Sequence, residues 1–470
     1  MLDGLTRPDG SASHEGLAAR AETLIAVHDL LVRRADALAD VARASLGTPH
    51  FETHTAEILT LLESLRHAAK VSREVLSPTT TKARVAPMKR IVVERVPHGV
   101  VALVTPFNFP LAIAGTEIAH AFLAGNAIAW KPSEHASPLS LAFLNVLRDA
   151  GIGPRTLRLV EGGPEVGRAL AASDIDYVAF TGSTTTGRAL AAALAARGVP
   201  ARIEVGGKAD AIVCDDADVE RTALALAYGA FFHAGQVCVG VQRAYVARSR
   251  VETLVARLAR ELDESVFPSE RAPLVLPTGA AHLARFVDDA IAKGARVVGD
   301  PTRGAVVVVS EREDLLARNE ECFGPLLLIA PIDDDGAALR AARAAPGDLI
   351  LSVFSEDAAR ASHLAARAPA SVVMVNDVVW SYGIPELPFG GARKSGFPAT
   401  HGAEGLLGYT RPRVVAFERF RPLAREPVWF PYTDARLALV KRATAVVYGG
   451  VAAVSEQAKA RVKSLIGRDR

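Results

Sequence analysis

Apolar residues recur at three- and four-residue spacing early in the chain: Leu24, Val27, Leu30 and Leu31, then Ile58, Leu61, Leu62 and Leu65. One helix face has that period, so residues 16 to 77 are expected to form two helical stretches. A polar run, Ser77 to Arg84, breaks the rhythm. Arg90 to Val96 then reads Arg-Ile-Val-Val-Glu-Arg-Val, which suits a strand with one wet face.

From Gly99 the pattern changes. Short β-rich runs appear at Val100 to Val104, Ala127 to Lys131, Leu157 to Val160, Tyr177 to Phe180 and Arg202 to Val205. Helical segments lie between them: Leu111 to Leu123, Leu139 to Asp149, Glu165 to Ala171 and Thr186 to Ala196. Alternation of this kind predicts a parallel sheet covered by helices on both faces. A second cycle follows at Ala211 to Cys214, Ala244 to Val246, Ala305 to Val309, Leu326 to Ile329, Leu349 to Phe354 and Ser371 to Asn376. The expected architecture is therefore two α/β units with a crevice between them, and ligands bind off the carboxyl ends of such strands. Thr105-Pro106-Phe107-Asn108, Lys131-Pro-Ser133-Glu134, Thr181-Gly182-Ser183 and Glu204-Val-Gly206-Gly all fall at those ends. No repeat of 20 to 50 residues appears.

Composition narrows the class. The 470 residues exceed one simple core, so two or three domains are expected. Half the residues are apolar and 23% are charged, as in an ordinary globular enzyme. A formal net charge of +2 gives no reason to expect a nucleic-acid partner. Cys214, Cys238 and Cys322 are odd in number and far apart, which makes neither a metal-ligand spacing nor a disulfide framework. A reducing compartment fits that usage. The segment Met1 to Gly16 is polar, so no signal peptide is expected, and no apolar run is long enough to span a bilayer as a helix. The location expected is cytoplasmic.

Two residues carry candidate chemistry. Cys238 lies in Gly235-Gln236-Val237-Cys238, and such a cysteine acts as a nucleophile if its surroundings lower its pKa toward neutrality. Taken alone, a free cysteine is more often an apolar filler, the reading kept for Cys214 and Cys322. Glu204 precedes a Gly-Gly pair that permits close backbone approach, so it is a candidate base.

With these residues in place, the chain resembles the NAD(P)-dependent aldehyde dehydrogenases from about Gly16 to about Phe417. The motifs, in order, are Thr105-Pro-Phe-Asn-Phe-Pro, Trp130-Lys-Pro-Ser-Glu, Phe180-Thr-Gly-Ser-Thr-Thr-Thr-Gly, Glu204-Val-Gly-Gly-Lys, Gly235-Gln-Val-Cys, Glu321-Cys-Phe-Gly-Pro and Pro388-Phe-Gly-Gly. All seven in one order make coincidence very small. The resemblance implies a cofactor-binding domain (1–78 and 98–204), a catalytic domain (205–407), a small β oligomerisation element (79–97 and 408–418) and a helical tail (419–470). It also implies a homodimer or homotetramer.

By resemblance, Cys238 attacks the aldehyde carbonyl, Asn108 and the Cys238 N–H steady the oxyanion, and Glu204 activates the water that hydrolyses the thioester. There is no Gly-x-Gly-x-x-Gly. Gly182, Ser183 and Gly187 instead open a helix after a strand, a placement suited to a pyrophosphate. The resemblance gives Lys131, Ser133 and Glu134 to the adenine ribose, and Glu321 and Phe323 to the nicotinamide ribose and ring. Thr105, Pro106, Phe107 and Gly206 complete the implied cofactor site. A carboxylate at Glu134 accepts from a 2′-hydroxyl and repels a 2′-phosphate, so NAD is preferred and NADP stays open. No metal is expected. His233 stands where many relatives carry Asn, and packing is its expected role.

The aldehyde tunnel implied by resemblance is lined by Phe109, Ile113, Val237, Val239 and Trp380, with no evident Arg or Lys. That favours an aliphatic or aromatic aldehyde over an acid semialdehyde. The tail after Phe417, with His401-Gly402 before it, resembles short-form, class-three-like members. Ala435 to Leu465 is expected to be helical, as a lid, a subunit contact or a peripheral membrane contact. Rival functions are a CoA-acylating or semialdehyde dehydrogenase and a catalytically silent structural relative.

Overall fold

A computed structural model describes residues 1–83, 86, 88–263, 272–300, 304–344, 349–420, 425, 426 and 428–448. The amino-terminal helices are α1 (Leu17–Arg33), α2 (Ala35–Leu46), the single turn α3 (His50–Glu52) and α4 (Leu59–Leu76). The two expected helical stretches are thus broken more often than periodicity implied. Arg34 leaves helical geometry after α1, Gly47 ends α2 in the left-handed region, and a π-helical stretch, Thr53–Ile58, joins α3 to α4.

Next come β1 (Thr79–Thr81), β2 (Lys89–Pro97) and β3 (Val100–Thr105), then α5 (Ala112–Leu123), β4 (Ala127–Pro132) and α6 (Ser137–Asp149). The chain continues through β5 (Leu157–Leu159), α7 (Pro164–Ala172), β6 (Tyr177–Gly182), α8 (Thr184–Ala196) and β7 (Ala201–Val205). The second cycle opens with β8 (Ala209–Val213), α9 (Val219–Phe231) and β9 (Val241–Ala247). Strands β10 (Arg296–Asp300), β11 (Ala305–Val309), β12 (Leu326–Ile332), β13 (Ile350–Phe354), β14 (Val372–Val375), β15 (Gly396–Phe397) and β16 (Thr410–Glu418) follow, connected mostly by helices.

These strands make two mainly parallel sheets, as the alternation predicted. One runs β15-β7-β6-β3-β4-β5 and the other β10-β11-β12-β9-β8-β13-β14, with only the edge strands β15 and β10 antiparallel. Strand order reverses at β3, which pairs with β4 on one side and β6 on the other. Such a reversal opens a crevice at the carboxyl end, where Thr105 to Asn108 lie. A third sheet, β1-β2-β16, joins the segment predicted near residues 79–97 to the late strand.

By contacts the chain divides into Met1–Thr79 with Val93–Arg413, and Thr80–Val92 with Val414–Arg470. In the tail, a helix at Asp434–Tyr448 is exposed at nearly every position, and residues 449–470 of the expected helical stretch lie outside those described.

The core in front of β3 is made by helices α1, α4 and α5 against Val101, Leu103 and Trp130. Helix α5 is buried all round, which leaves its first backbone N–H groups no water to bond. Glu57, from the π-helical stretch, accepts them, at 2.9 Å from Leu111 N and 2.7 Å from Ala112 N. Burial pushes its carboxyl up to about 8, against the pull of those two donors. Replacing Glu57 with alanine is expected to cost about 1–3 kcal/mol by leaving both donors bare, and glutamine less than half that. Calorimetric unfolding of the two variants checks this.

Candidate active site

Four loops meet between the carboxyl ends of the first sheet and the amino ends of the second. Thr105 closes β3 and accepts a hydrogen bond from Trp130 Nε1 at 2.9 Å, which ties β3 to β4. Pro106 and Phe107 follow. The Phe107 ring meets Phe323 edge to face at 6.1 Å, so the loop after β3 touches the loop before β12. Asn108 is buried, and its Nδ2 donates to the Gln236 carbonyl at 3.0 Å. That bond brings it to the turn carrying Cys238 and uses one of its two amide hydrogens.

The turn itself is costly to form. His233, Ala234 and Gly235 all have positive φ, at 52°, 53° and 71°. At Gly235 a Cβ would stand 2.2 Å from the Gly324 carbonyl oxygen, so only glycine lets this turn rest on the Gly324-Pro325 backbone. Asn is among the residues that best tolerate this backbone region, and His233 occupies it here. Its Nδ1 lies 3.0 Å from Glu52 Oε2 and its ring packs 5.0 Å from Phe109, so the expected packing role gains a hydrogen-bond partner.

Gln236 was not singled out by the motif reading, yet it organises the turn. Its Nε2 donates to the carbonyls of His233 (3.2 Å) and Pro273 (2.9 Å), and its Oε1 accepts from Val275 N (2.9 Å). Lys208 was likewise unassigned. It is buried, and its Nζ donates to the Glu320 carbonyl at 2.6 Å, anchoring the loop that holds Glu321 and Phe323. Burial lowers its pKa to about 7. Both roles depend on partners remote in sequence, so no local pattern announces them.

Glu204 sits near the end of β7, buried, with Oε1 free of hydrogen-bond partners among the described residues. Burial raises its pKa to about 7, although the Arg202 charge pulls the other way. Gly206 has the Glu321 carboxylate 2.5 Å from where a Cβ would be, so a side chain there would displace that carboxylate. Glu321 is raised to about 7 by burial, with Lys208 opposing.

For Cys238 the condition set, a thiol pKa lowered toward neutrality, is not met by the protein's own groups. Its thiol is pushed up, not down, by burial and then by the Glu204 and Glu321 carboxylates, with backbone N–H groups only partly compensating. Burial and the two carboxylates outweigh the backbone donors, so the sulfur rests as a thiol and needs a base when it attacks.

The remaining predicted residues line the first sheet's edge. Lys131 is buried at the end of β4, with Nζ 2.9 Å from the Pro132 carbonyl and 3.8 Å from Glu134. Ser133 caps the turn that carries the half-exposed Glu134. Gly182 ends β6, and Ser183 caps α8 by accepting from Thr186 N at 3.3 Å. Gly187 is buried in α8 against Val205 of β7.

Among the tunnel candidates, Phe109, Val237 and Val239 share one apolar cluster with Cys238. Phe109 stacks on Phe232 at 6.2 Å, and Phe232 on Tyr228 at 5.0 Å. Tyr228 and the 60% exposed Trp380 line a surface cavity of about 700 Å³, with Leu224 and Val378. The cavity does hold an arginine, which the sequence reading had not placed. Arg221 Nε donates to the Asn376 carbonyl at 3.0 Å and its guanidinium lies 3.9 Å from Asp377. Asp218 and Glu220 also line it, so acid outweighs base.

The aldehyde dehydrogenase family profile matches residues 11–415. The chain belongs to the aldehyde dehydrogenase family. It is 32% identical to 4,4′-diapolycopene aldehyde oxidase of a Methylomonas species, over 92% of this chain and 83% of that one. It is 31% identical to the putative NADP(+) succinate-semialdehyde dehydrogenase of Mycolicibacterium smegmatis, over 87% and 82%. Among solved structures it superposes on the NAD-dependent aldehyde dehydrogenase of Sinorhizobium meliloti with a TM-score of 0.82 at 28% identity, covering 87% and 83%. This aldehyde dehydrogenase is therefore an oxidoreductase acting on aldehydes, as the seven motifs implied. No helix among its described residues is long and apolar enough to cross a membrane.

Proposed function

We propose that this enzyme oxidises an extended apolar aldehyde to its carboxylic acid with NAD, in the cytoplasm, with Cys238 carrying the acyl group. The observation that carries this reading is the convergence on one sulfur: Asn108 tethered two residues away, and Glu204 and Glu321 both acting on the thiol.

The residues present fit a nicotinamide dinucleotide. Helix α8 offers backbone N–H groups at Ser183, the cap of a helix opened by Gly182, for a pyrophosphate. Glu134, half exposed beside Lys131, suits an adenine ribose hydroxyl, and its charge disfavours a 2′-phosphate. The buried, unpartnered Glu321 Oε1 beside Gly206 suits a second ribose, with Phe323 and Phe107 closing the ring side. When bound, oxidised nicotinamide supplies a hydride acceptor and a positive charge near the thiol.

The chain's own residues then do the following. Cys238 loses its proton to Glu204, and the sulfur bonds to the carbonyl carbon. The negative oxygen is met by the free amide hydrogen of Asn108 and by the Cys238 N–H. Once hydride has left the carbon, Cys238 holds a thioester. Glu204 first passes the thiol's proton to solvent; ionised again, with a pKa of about 7, it takes a proton from water as that water attacks the acyl carbon and returns it to the departing sulfur. The acid departs and the thiol is restored. Replacing Asn108 with alanine is expected to lower kcat about 10²–10³-fold with little change in NAD affinity, because one oxyanion donor is worth ~3 kcal/mol. Stopped-flow formation of NADH from octanal, with cofactor affinity by fluorescence titration, measures both.

The aromatic series from Phe109 through Phe232 to Tyr228, opening at Trp380, supports a long flat or aliphatic substrate body. The Methylomonas relative is named for a polyene aldehyde, which points the same way. The succinate-semialdehyde reading of the other relative needs a cation for the substrate carboxylate. Arg221 is already engaged and flanked by acids, which argues against it. Comparing kcat/KM for octanal, a polyene aldehyde and succinate semialdehyde with NAD and NADP decides the matter, and preference for the semialdehyde overturns the apolar assignment. We assign β16, an edge strand with Val414 and Phe417 exposed, to pairing between copies as a dimer or tetramer, which sedimentation velocity reads.

A further inference from the structure

Behind Glu204 lies a charged pair in an otherwise apolar layer. Side chains alternate along a strand, so Arg202 and Glu204 of β7 share one face. Ile203 and Val205 take the other face, in the apolar cluster beneath α7 and α8. Arg202 is 3% exposed, and its Nη2 lies 2.7 Å from Glu117 Oε2 on α5. Glu117 is held in turn by Thr400 Oγ1, which donates to its Oε1 at 3.0 Å, and by the Tyr409 hydroxyl, which donates to Oε2. An unpaired charge here would be severely penalised, so the pair stands or falls together.

Other titratable groups ring the same place. Tyr177 comes from β6, His120 from α5, Tyr382 from the short helix Trp380–Gly383 and His401 from the loop before Gly402. On the nucleophile turn, the Cys238 thiol feels the Glu204 charge. Antiparallel β15 pairs Gly396 with Glu204 through the backbone. His120 and His401 are lowered to about 3 by burial, with Arg202 adding to it, so both are neutral across the working pH range. The Tyr382 hydroxyl and both nitrogens of His401 are buried without hydrogen-bond partners among the described residues. Around Glu204, therefore, Arg202 is the one permanent positive charge among these groups and Glu117 its counter-charge.

We propose that the Arg202–Glu117 pair is a positioning device for Glu204, fixing the charge state of that carboxyl and so the pH at which it activates water. It rests on the reading of Glu204 as the base. Arg202 favours ionised Glu204, while Glu117 opposes it directly and tempers Arg202 by pairing with it. Neither side chain is assigned any contact with substrate.

The two charges predict displacements of opposite sign. Rapid-quench release of octanoate from enzyme mixed with octanal and NAD, followed from pH 5 to 10, gives the hydrolysis midpoint. Arg202→Met leaves Glu117 bare and is expected to raise the midpoint by about 1–3 units, slowing hydrolysis at pH 7 about fivefold or more. Glu117→Gln leaves Arg202 bare and is expected to lower it. Removing both returns it toward the wild-type value, and Arg202→Lys keeps it there. Circular dichroism and melting establish which variants fold, and either single variant decides the question if the other does not. Midpoints that stay fixed, or that move in the same direction, overturn the proposal, because a purely structural pair changes stability without opposed shifts. Glu204→Gln separates the two failures: if it retains the wild-type midpoint, Glu204 is not the base and the underlying reading falls instead.

Discussion

Cys238→Ala is expected to lower kcat for aldehyde oxidation by about 10⁶, the scale seen when a covalent nucleophile is removed from a preorganised site. Neither remaining thiol can substitute. Cys214 packs under β8 and β13, and Cys322 packs beneath β11 and β12, each in its own apolar cluster. Burial pushes both up to about 12. The serine variant should fare little better, because a hydroxyl is far less acidic than a thiol and the site offers carboxylates where a cation would help. The checks are NADH formation with octanal and intact-mass detection of an acyl adduct, present on the wild-type enzyme and absent from both variants. NAD affinity should be unchanged, since the residues suited to the dinucleotide are on β4, α8 and the loop before β12. Full activity in the alanine variant would remove the covalent reading at once.

The raised thiol changes how the nucleophile is understood. From the sequence, the Gly-Gln-x-Cys turn makes Cys238 a nucleophile only if its surroundings lower the thiol pKa. In the folded chain, Glu204 and Glu321 both oppose its ionisation. Reactivity then has to be triggered by a base, and a bound oxidised nicotinamide would add a positive charge. A thiol silent until both are present resists stray oxidation, because the thiolate is the reactive form.

Most of the fold was legible because strand runs such as Val100 to Val104 and Leu326 to Ile329 are buried on both faces and read as continuous apolar stretches. Site residues inside motifs were legible for a related reason: Thr105 to Asn108 and Glu204 to Gly206 end parallel strands, where α/β sheets hold their ligands. What was hidden depends on residues far apart in sequence. Glu117 sits on a helix buried all round, where a lone carboxylate reads as an anomaly until Arg202, Thr400 and Tyr409 are seen around it. Gln236 and Lys208 hold backbone carbonyls of other loops, and such partners leave no trace in spacing. The π-helical stretch escaped because its side chains keep nearly helical periodicity while Glu57 turns inward to cap α5.

Glu204→Gln is expected to separate the two halves of the reaction. Attack and hydride loss can still occur once, slowed by the missing proton acceptor, so NADH should appear in a burst approaching one equivalent per site. The following steady rate should fall about 10²–10⁴-fold, the usual contribution of a general base. Stopped-flow absorbance reads burst and steady state in one trace. The pH dependence carries the sign. Only ionised Glu204 can take a proton from water, so hydrolysis by the wild-type enzyme should be slow at pH 5, rise through about 7 and level above it. In the glutamine variant that rise should vanish and leave a slow rate that climbs only with hydroxide. Burial is the first cause of the high midpoint, so letting water reach the carboxyl should move it down toward the ordinary carboxylate range.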